Sequence, residues 1–130
     1  MIVDTSALIS IALEEPNATA LLRALHQAPV RRMSMASAVE ACLALVGRLG
    51  DGGKSDLDAL LRHLHIELVP MDAQQCQVAQ EAGVRFGKGR HAASLNFGDC
   101  FSYALAATTN DSLLCTGDDF ARTDIVVVNA

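Results

Sequence analysis

Apolar residues fall into short runs separated by polar turns, and the spacing inside each run assigns most of the chain. Residues 1–3 form an apolar run that reads as a strand, and Asp4, Thr5 and Ser6 then offer capping oxygens ahead of a helical run over 7–15. Pro16 ends that helix. Asn17 is placed to cap a second, in which Leu21, Leu22 and Leu25 fall at helical spacing. Residues 30–35 alternate as a second strand, followed by a long helix over about 36–49 whose end is punctuated by Gly47, Gly50, Gly52 and Gly53. Leu57, Leu60, Leu61 and Leu64 make an i, i+3, i+4, i+7 stripe on the next helix, and residues 66–69 ahead of Pro70 read as a third strand. Asp72 is a cap for a helix through Ala82, with helical structure given up after Phe86 in a glycine-rich basic loop that extends to Gly98. A helix over 101–108 and strands over 112–115 and 125–128 complete the chain. Strands alternating with helices predict an α/β fold with a largely parallel, covered sheet.

Composition narrows this further. At 130 residues, one domain spanning 1–130 is expected. With 51% hydrophobic residues, no Trp, four Phe and one Tyr, the core is built from Ala, Leu, Val and Ile. The longest apolar runs, 35–39 and 41–46, are interrupted by Glu40 and fall well short of the ~20 residues a membrane span needs. No basic region precedes an apolar stretch at the N-terminus, so the chain is expected in the cytoplasm. Cys42, Cys76, Cys100 and Cys115 are widely separated without a C-x-x-C pair, which points to buried reduced thiols rather than a zinc or redox motif. The net charge of -5 is unlike that of a generic nucleic-acid coat protein but is compatible with an enzyme holding divalent metal, whose charge offsets the acidic site.

Four acidic positions carry the candidate chemistry. Asp4 directly follows the first strand, at the carboxyl end where open α/β sheets place ligands, although a helix cap alone would also account for it. Glu40 has mostly small or apolar helical neighbours, Ala36, Ser37, Leu43 and Ala44, so its carboxylate needs a cation, either an Arg or a metal. Asp99 sits at the start of an apolar helix, where a carboxylate caps and meets the helix dipole. Asp118 and Asp119 follow the fourth strand and Thr116-Gly117, where a polar turn is the plain alternative. Taken together, these carboxylates gather on one edge of the sheet and call for hard cations, Mg²⁺ or Mn²⁺, and for phosphodiester hydrolysis.

Other chemistries lack their parts. There is no phosphate loop of the G-x-x-x-x-G-K-[ST] kind, no G-x-G-x-x-G after the first strand, no H-E-x-x-H and no G-x-S-x-G. His26, His63 and His65 read as surface or helix-end residues. An aspartyl-phosphate phosphatase would want an Asp where Ser6 stands, and a receiver domain would want a Lys beyond Lys88.

The blocks Met1 to Leu8 (MIVDTSAL), Ser37-Ala38-Val39-Glu40, Gly87 to His91 (GKGRH) leading to Leu95 to Ala106 (LNFGDCFSYALA), and Leu113 to Phe120 (LLCTGDDF) with Thr123-Asp124-Ile125 resemble, in order, the VapC-type PIN-domain toxins. The resemblance covers nearly the whole chain. It implies a three-layer α/β/α PIN domain with a central parallel sheet, and a Mg²⁺-dependent endoribonuclease. It also implies homodimers, a VapB-type antitoxin as inhibitor, and operator DNA met only through that antitoxin. Carried over, Asp4 and Asp99 are metal ligands, Glu40 completes the site, and the acidic residue after Thr116-Gly117 is the fourth. Asp118 is favoured over Asp119 because it lies closer to the strand end. Thr5, Ser6, Thr116 and Asp119 are then placed to orient carboxylates or bind metal waters. The one local concentration of positive charge, Arg85, Lys88, Arg90 and His91, is the candidate for RNA phosphates, with a solvated loop as the alternative. Few aromatics are available to stack bases. The competing function is a non-catalytic PIN-like protein-binding module, which would have no need of the acidic set.

Overall fold

The structure, a computed structural model, describes residues 1–128 and residue 130. Its core is a five-stranded sheet in which every neighbouring pair is parallel: β1 (Ile2–Val3), β2 (Arg32–Ser34), β3 (Glu67–Val69), β4 (Leu113–Leu114) and β5 (Val127–Val128) lie in the order β3-β2-β1-β4-β5. Six helices cover it: α1 (Thr5–Ala12), α2 (Ala18–Gln27), α3 (Met35–Leu49), α4 (Gly52–His63), α5 (Ala73–Phe86) and α6 (Asp99–Thr109).

The strands are short, yet each sends alternate residues to opposite faces. Val3, Met33, Leu68, Leu114 and Val128 join the core beneath α1 to α4, whereas Ile2, Val69, Leu113 and Val127 join the core beneath α5 and α6. That alternation is the period-2 signature of a strand covered on both sides, and it produces the three-layer α/β/α arrangement expected from the sequence. No helix among the described residues is long and apolar enough to cross a membrane.

Local chemistry fixes the ends. The Asp4 carboxylate accepts from the Ser6 amide at 3.0 Å and starts α1, so this helix begins before the expected residue 7. Ser34 accepts from the Ala36 amide and starts α3 at Met35, which shortens the second strand to three residues. Asp72 accepts from the Gln75 amide at 2.8 Å and starts α5, which continues through Gly83 to Phe86. The thiols are all free: Cys100 and Cys115 are buried and Cys42 is half-buried, but Cys76, on α5, is exposed rather than buried. His26, His63 and His65 are exposed, as the sequence implied.

Gly53 sets how closely α3 and α4 approach. A Cβ there would stand 2.7 Å from the Leu45 carbonyl, whereas one at Gly52 would meet nothing within 4 Å. Gly53→Ala is therefore expected to lower stability by roughly 1–3 kcal/mol through overpacking against backbone. Gly52→Ala should be neutral or slightly stabilising, because it only restricts the unfolded chain. Urea melts of the two variants test this, and equal midpoints would disprove the close-packing account.

Candidate active site at the switch point of the sheet

Successive strands run outward from β1 in one direction to β2 and β3, then return to its other side at β4 and β5. The carboxyl ends of β1 and β4 therefore border a crevice where no crossover lies on top, the place where parallel sheets expose ligands. Asp4 leaves β1 here and residues 115–119 leave β4.

Asp4 is 3% exposed and fully engaged. One oxygen accepts from the Ser6 amide at 3.0 Å and the Ser6 hydroxyl at 2.6 Å, and the other accepts from the Ser102 hydroxyl at 2.5 Å. Because Ser102 spends its proton on Asp4, its 3.1 Å contact with Ser37 makes the Ser37 hydroxyl the donor. The Ser6 oxygen also accepts from the Thr116 amide at 3.0 Å, and Thr5 donates to the Ser37 carbonyl at 3.0 Å. Hydroxyls from α1, α3 and α6 thus hold one carboxylate in a fixed pose.

Asp99 opens α6. Its carboxylate accepts from the Asn96 amide and the Asn96 side chain accepts from the Asp99 amide, both at 2.9 Å, a reciprocal box that makes Asn96 the working cap. Burial pushes the Asp99 carboxyl up to about 6; the Asn96 amide opposes this, and the charges of Asp4, Asp119 and Glu40 add to it. Glu40 reaches the same place from the middle of α3: a Cβ on Gly98 would fall 1.8 Å from its Oε2 atom. The missing side chain at Gly98 is what lets Glu40 lie against the start of α6.

The two adjacent aspartates part company. Asp118 is exposed and ion-paired to Arg122 at 2.9 Å, and Arg122 also donates to the Ala92 carbonyl at 3.1 Å. Asp119 is the one whose charge reaches Asp99 and the Cys115 thiol. The structure thus gathers Asp4, Glu40, Asp99 and Asp119, and leaves Asp118, the residue favoured on sequence, in a pair outside the group.

None of the five ion pairs among the described residues involves those four carboxylates, so the Arg partner considered for Glu40 is not found. Nor do three of them converge tightly enough to grip an ion in their present poses, since Ser6, Ser102 and Asn96 hold Asp4 and Asp99 instead. The donor set nonetheless fits a hard divalent cation: it is all oxygen, is partly buried, and carries charge that no side chain neutralises. Two thiols flank it and stay protonated. Burial, followed by Asp4, Asp99 and Asp119, pushes Cys115 up to about 12, and burial with Asp99 raises Cys100.

The basic loop divides in the same way. Arg85 pairs with Asp124 at 3.2 Å and lies over the Phe86 ring, while His91 accepts from the Ala93 amide and packs edge-on against Phe86. Lys88 and Arg90 are exposed and form no ion pair among the described residues. A bridge between Gly87 and Leu95 closes the loop. Sequence reasoning gave no role to Ser102, Gly98, Asn96 or Arg122. One signal was present: Ser37 and Glu40, like Asp99 and Ser102, are three apart on a helix and share a face.

Residues 1–126 match the family model described as PIN domain. The chain is 45% identical to "Ribonuclease VapC" of Mycolicibacterium smegmatis, over 99% of this chain and 100% of that one. It is 42% identical to "Ribonuclease VapC30" of Mycobacterium tuberculosis, over 98% of both. Among solved structures, the sarcin-ricin-loop-cleaving toxin VapC20 of Mycobacterium tuberculosis superposes with a TM-score of 0.81 at 20% identity, covering 99% of this chain and 98% of that one. VapBC2 of Rickettsia felis, bound to a promoter DNA fragment, gives a TM-score of 0.76 at 16% identity, with 98% and 96% covered. The chain belongs to the VapC-type PIN-domain family.

The raised Asp99 carboxyl has a stability consequence. The folded state holds its proton more tightly than the unfolded chain, so the contribution is fully present below about pH 4 and is lost as pH rises through about 6. In chelator, Asp99→Asn should therefore raise stability at pH 7.5 by about 1–2 kcal/mol, allowing for solvent screening, and change little at pH 4.5. Thermal melts at the two pH values measure the difference; an equal effect at both would refute the electrostatic cause.

Proposed function

We propose that the chain is the toxin of a VapBC-type toxin–antitoxin pair, an endoribonuclease dependent on Mg²⁺ or Mn²⁺, with Asp4, Glu40, Asp99 and Asp119 as the metal-holding carboxylates. The observation that carries this reading is the placing of Asp99 within the charge influence of Asp4, Asp119 and Glu40 at the switch-point crevice, none of the four ion-paired among the described residues, with the Asp99 carboxyl raised to about 6. The full-length relatives named as ribonucleases support it. Asp119 replaces Asp118 in the set because Arg122 holds Asp118 away.

A divalent ion bound there would supply a lowered pKa for the attacking water and stabilisation of charge on the scissile phosphate. The chain's own residues do the rest. Ser6 and Ser102 orient Asp4, and the Thr116 amide fixes Ser6. Thr5 ties α1 to α3 through the Ser37 carbonyl, which sets Glu40 one turn further on. Lys88 and Arg90 meet flanking phosphates, while Arg85 and His91 brace the loop that presents them. No serine or cysteine nucleophile is needed, so hydrolysis is direct.

The same reading makes homodimers the working form, the cytoplasm the compartment, and a VapB-type antitoxin the inhibitor, with operator DNA bound only through that antitoxin. A guanidinium from the antitoxin is suited to the acidic crevice, where it would displace metal.

Gly98→Ala is the sharpest test. Its backbone is already helical, so the fold should survive, but the new methyl displaces the Glu40 carboxylate. Misplacing such a group costs on the order of 100-fold in rate. Cleavage of an RNA substrate in Mg²⁺ should fall by that amount with an unchanged melting temperature, and chelation should abolish it. Wild-type cleavage by Gly98→Ala would remove Glu40 from the site. Asp119→Asn should lose most activity and Asp118→Asn should keep it; the reverse result would restore Asp118 as the fourth carboxylate.

A further inference from the structure

The chain has four phenylalanines and one tyrosine. Phe86, Tyr103 and Phe120 are buried in the core beneath α5 and α6, and Phe101 is half-buried against the smaller cluster of Ala79, Cys100 and Ala104. Phe97 is different: at 82% it is the most exposed large apolar side chain among the described residues. It sits in the turn that opens α6, one residue before the Gly98 that accommodates Glu40 and two before Asp99. Two residues of chain span at most about 7 Å, so the Phe97 backbone lies close to that of Asp99, and Asn96, which exchanges hydrogen bonds with Asp99, lines the same groove as the Phe97 ring.

Its orientation is set. The Phe97 and Phe101 rings meet edge to face, 4.8 Å between centroids and 86° between planes. Together they line a groove of about 670 Å³ between α5 and α6, with Ala79, Gly83 and Leu95 on its apolar wall and Lys88 at its rim. Lys88 forms no ion pair among the described residues, and its amide is fixed by a 2.9 Å hydrogen bond to the Leu95 carbonyl. An open aromatic ring and an unpaired ammonium therefore share one groove, and Asn96, on that groove, is hydrogen-bonded to Asp99.

We propose that Phe97 is a stacking platform for an unpaired nucleobase of the RNA next to the cut, with Lys88 meeting the adjoining phosphate. This rests on the reading of the chain as an RNA-cutting enzyme and adds to it the residue that receives a base beside the cut, because an unstacked base presents its face to a side chain. The occupant is a nucleobase rather than an apolar peptide because the Lys88 ammonium on the same groove suits phosphate and the chain leads within two residues from Phe97 to Asp99, a proposed metal-holding carboxylate. A second copy of this chain on the same ring is the rival outcome.

The chain lacks Trp, so Phe97→Trp supplies a single fluorophore at the platform. A single-stranded oligoribonucleotide is added with Ca²⁺ in place of Mg²⁺, since Ca²⁺ binds in looser geometry. Emission should be quenched on binding, and an abasic substitution at one position should remove most of the quenching. Phe97→Ala should bind the same RNA roughly 5- to 150-fold more weakly, with unchanged hydrodynamic mass. RNA binding without any change in emission would overturn the platform and leave the RNA reading standing. Failure of wild type and variant alike to bind RNA, in Ca²⁺ or Mg²⁺, would overturn both. Emission that follows protein dilution and ignores RNA, with loss of mass in Phe97→Ala, would assign the ring to self-association and overturn the proposal.

Discussion

One buried hydrogen bond, from the Ser102 hydroxyl to Asp4, joins residues 98 apart in sequence and decides where everything else in the crevice falls. It locks the first turn after β1 to the first turn of α6, which are packed from opposite faces of the sheet. With that spacing set, Asp99 cannot move away from Asp4, and the Ser37 donor brings α3 into the same frame with Glu40 a turn along it. A buried carboxylate held by three hydroxyl and amide donors in a low-dielectric setting is rigid, because any departure leaves polar groups unsatisfied.

Rigidity of this kind has an electrostatic cost that the fold carries on purpose. Hydrogen bonds fix the Asp4 carboxyl in place while burial and the neighbouring acids lift Asp99, so the crevice gathers like charges of the kind a doubly charged hard ion would offset. Where a carboxylate is not wanted in the group, a cation removes it: Arg122 holds Asp118, and Arg85 holds Asp124. The sorting of acids into compensated and uncompensated sets is the clearest mark the structure leaves of its chemistry.

Much of this was legible in the sequence. The alternation of strands and helices predicted the layered parallel sheet, and Asp4 stood out at the carboxyl end of a strand, Asp99 at the start of a helix and Glu40 by its mostly small or apolar helical neighbours. What stayed hidden depended on distant contacts. Asp118 and Asp119 are neighbours in a polar turn, and only the turn at Gly117, with φ at +78°, and the reach of Arg122 separate them. Arg85 looked like part of a basic patch until Asp124, 39 residues on, took it. Ser102 reads as an ordinary polar break in an apolar helix, and the role of Gly98 depends on α3 packing beside α6. The expectation of four buried thiols failed at Cys76 because spacing says nothing about which face of α5 it occupies.

The two thiols beside the carboxylates bear on which reagents the crevice tolerates. A thiol held up to about 12 is almost never a thiolate near neutrality, and thiolate is the form that binds zinc or copper and reacts with peroxide. Burial, reinforced by the charge of the neighbouring carboxylates, thereby disarms the sulfur at Cys115 and pushes Cys100 the same way. The thiols beside the carboxylates are thus the less reactive ones, and oxidant in the surroundings would first meet the exposed Cys76, which lines the groove between α5 and α6.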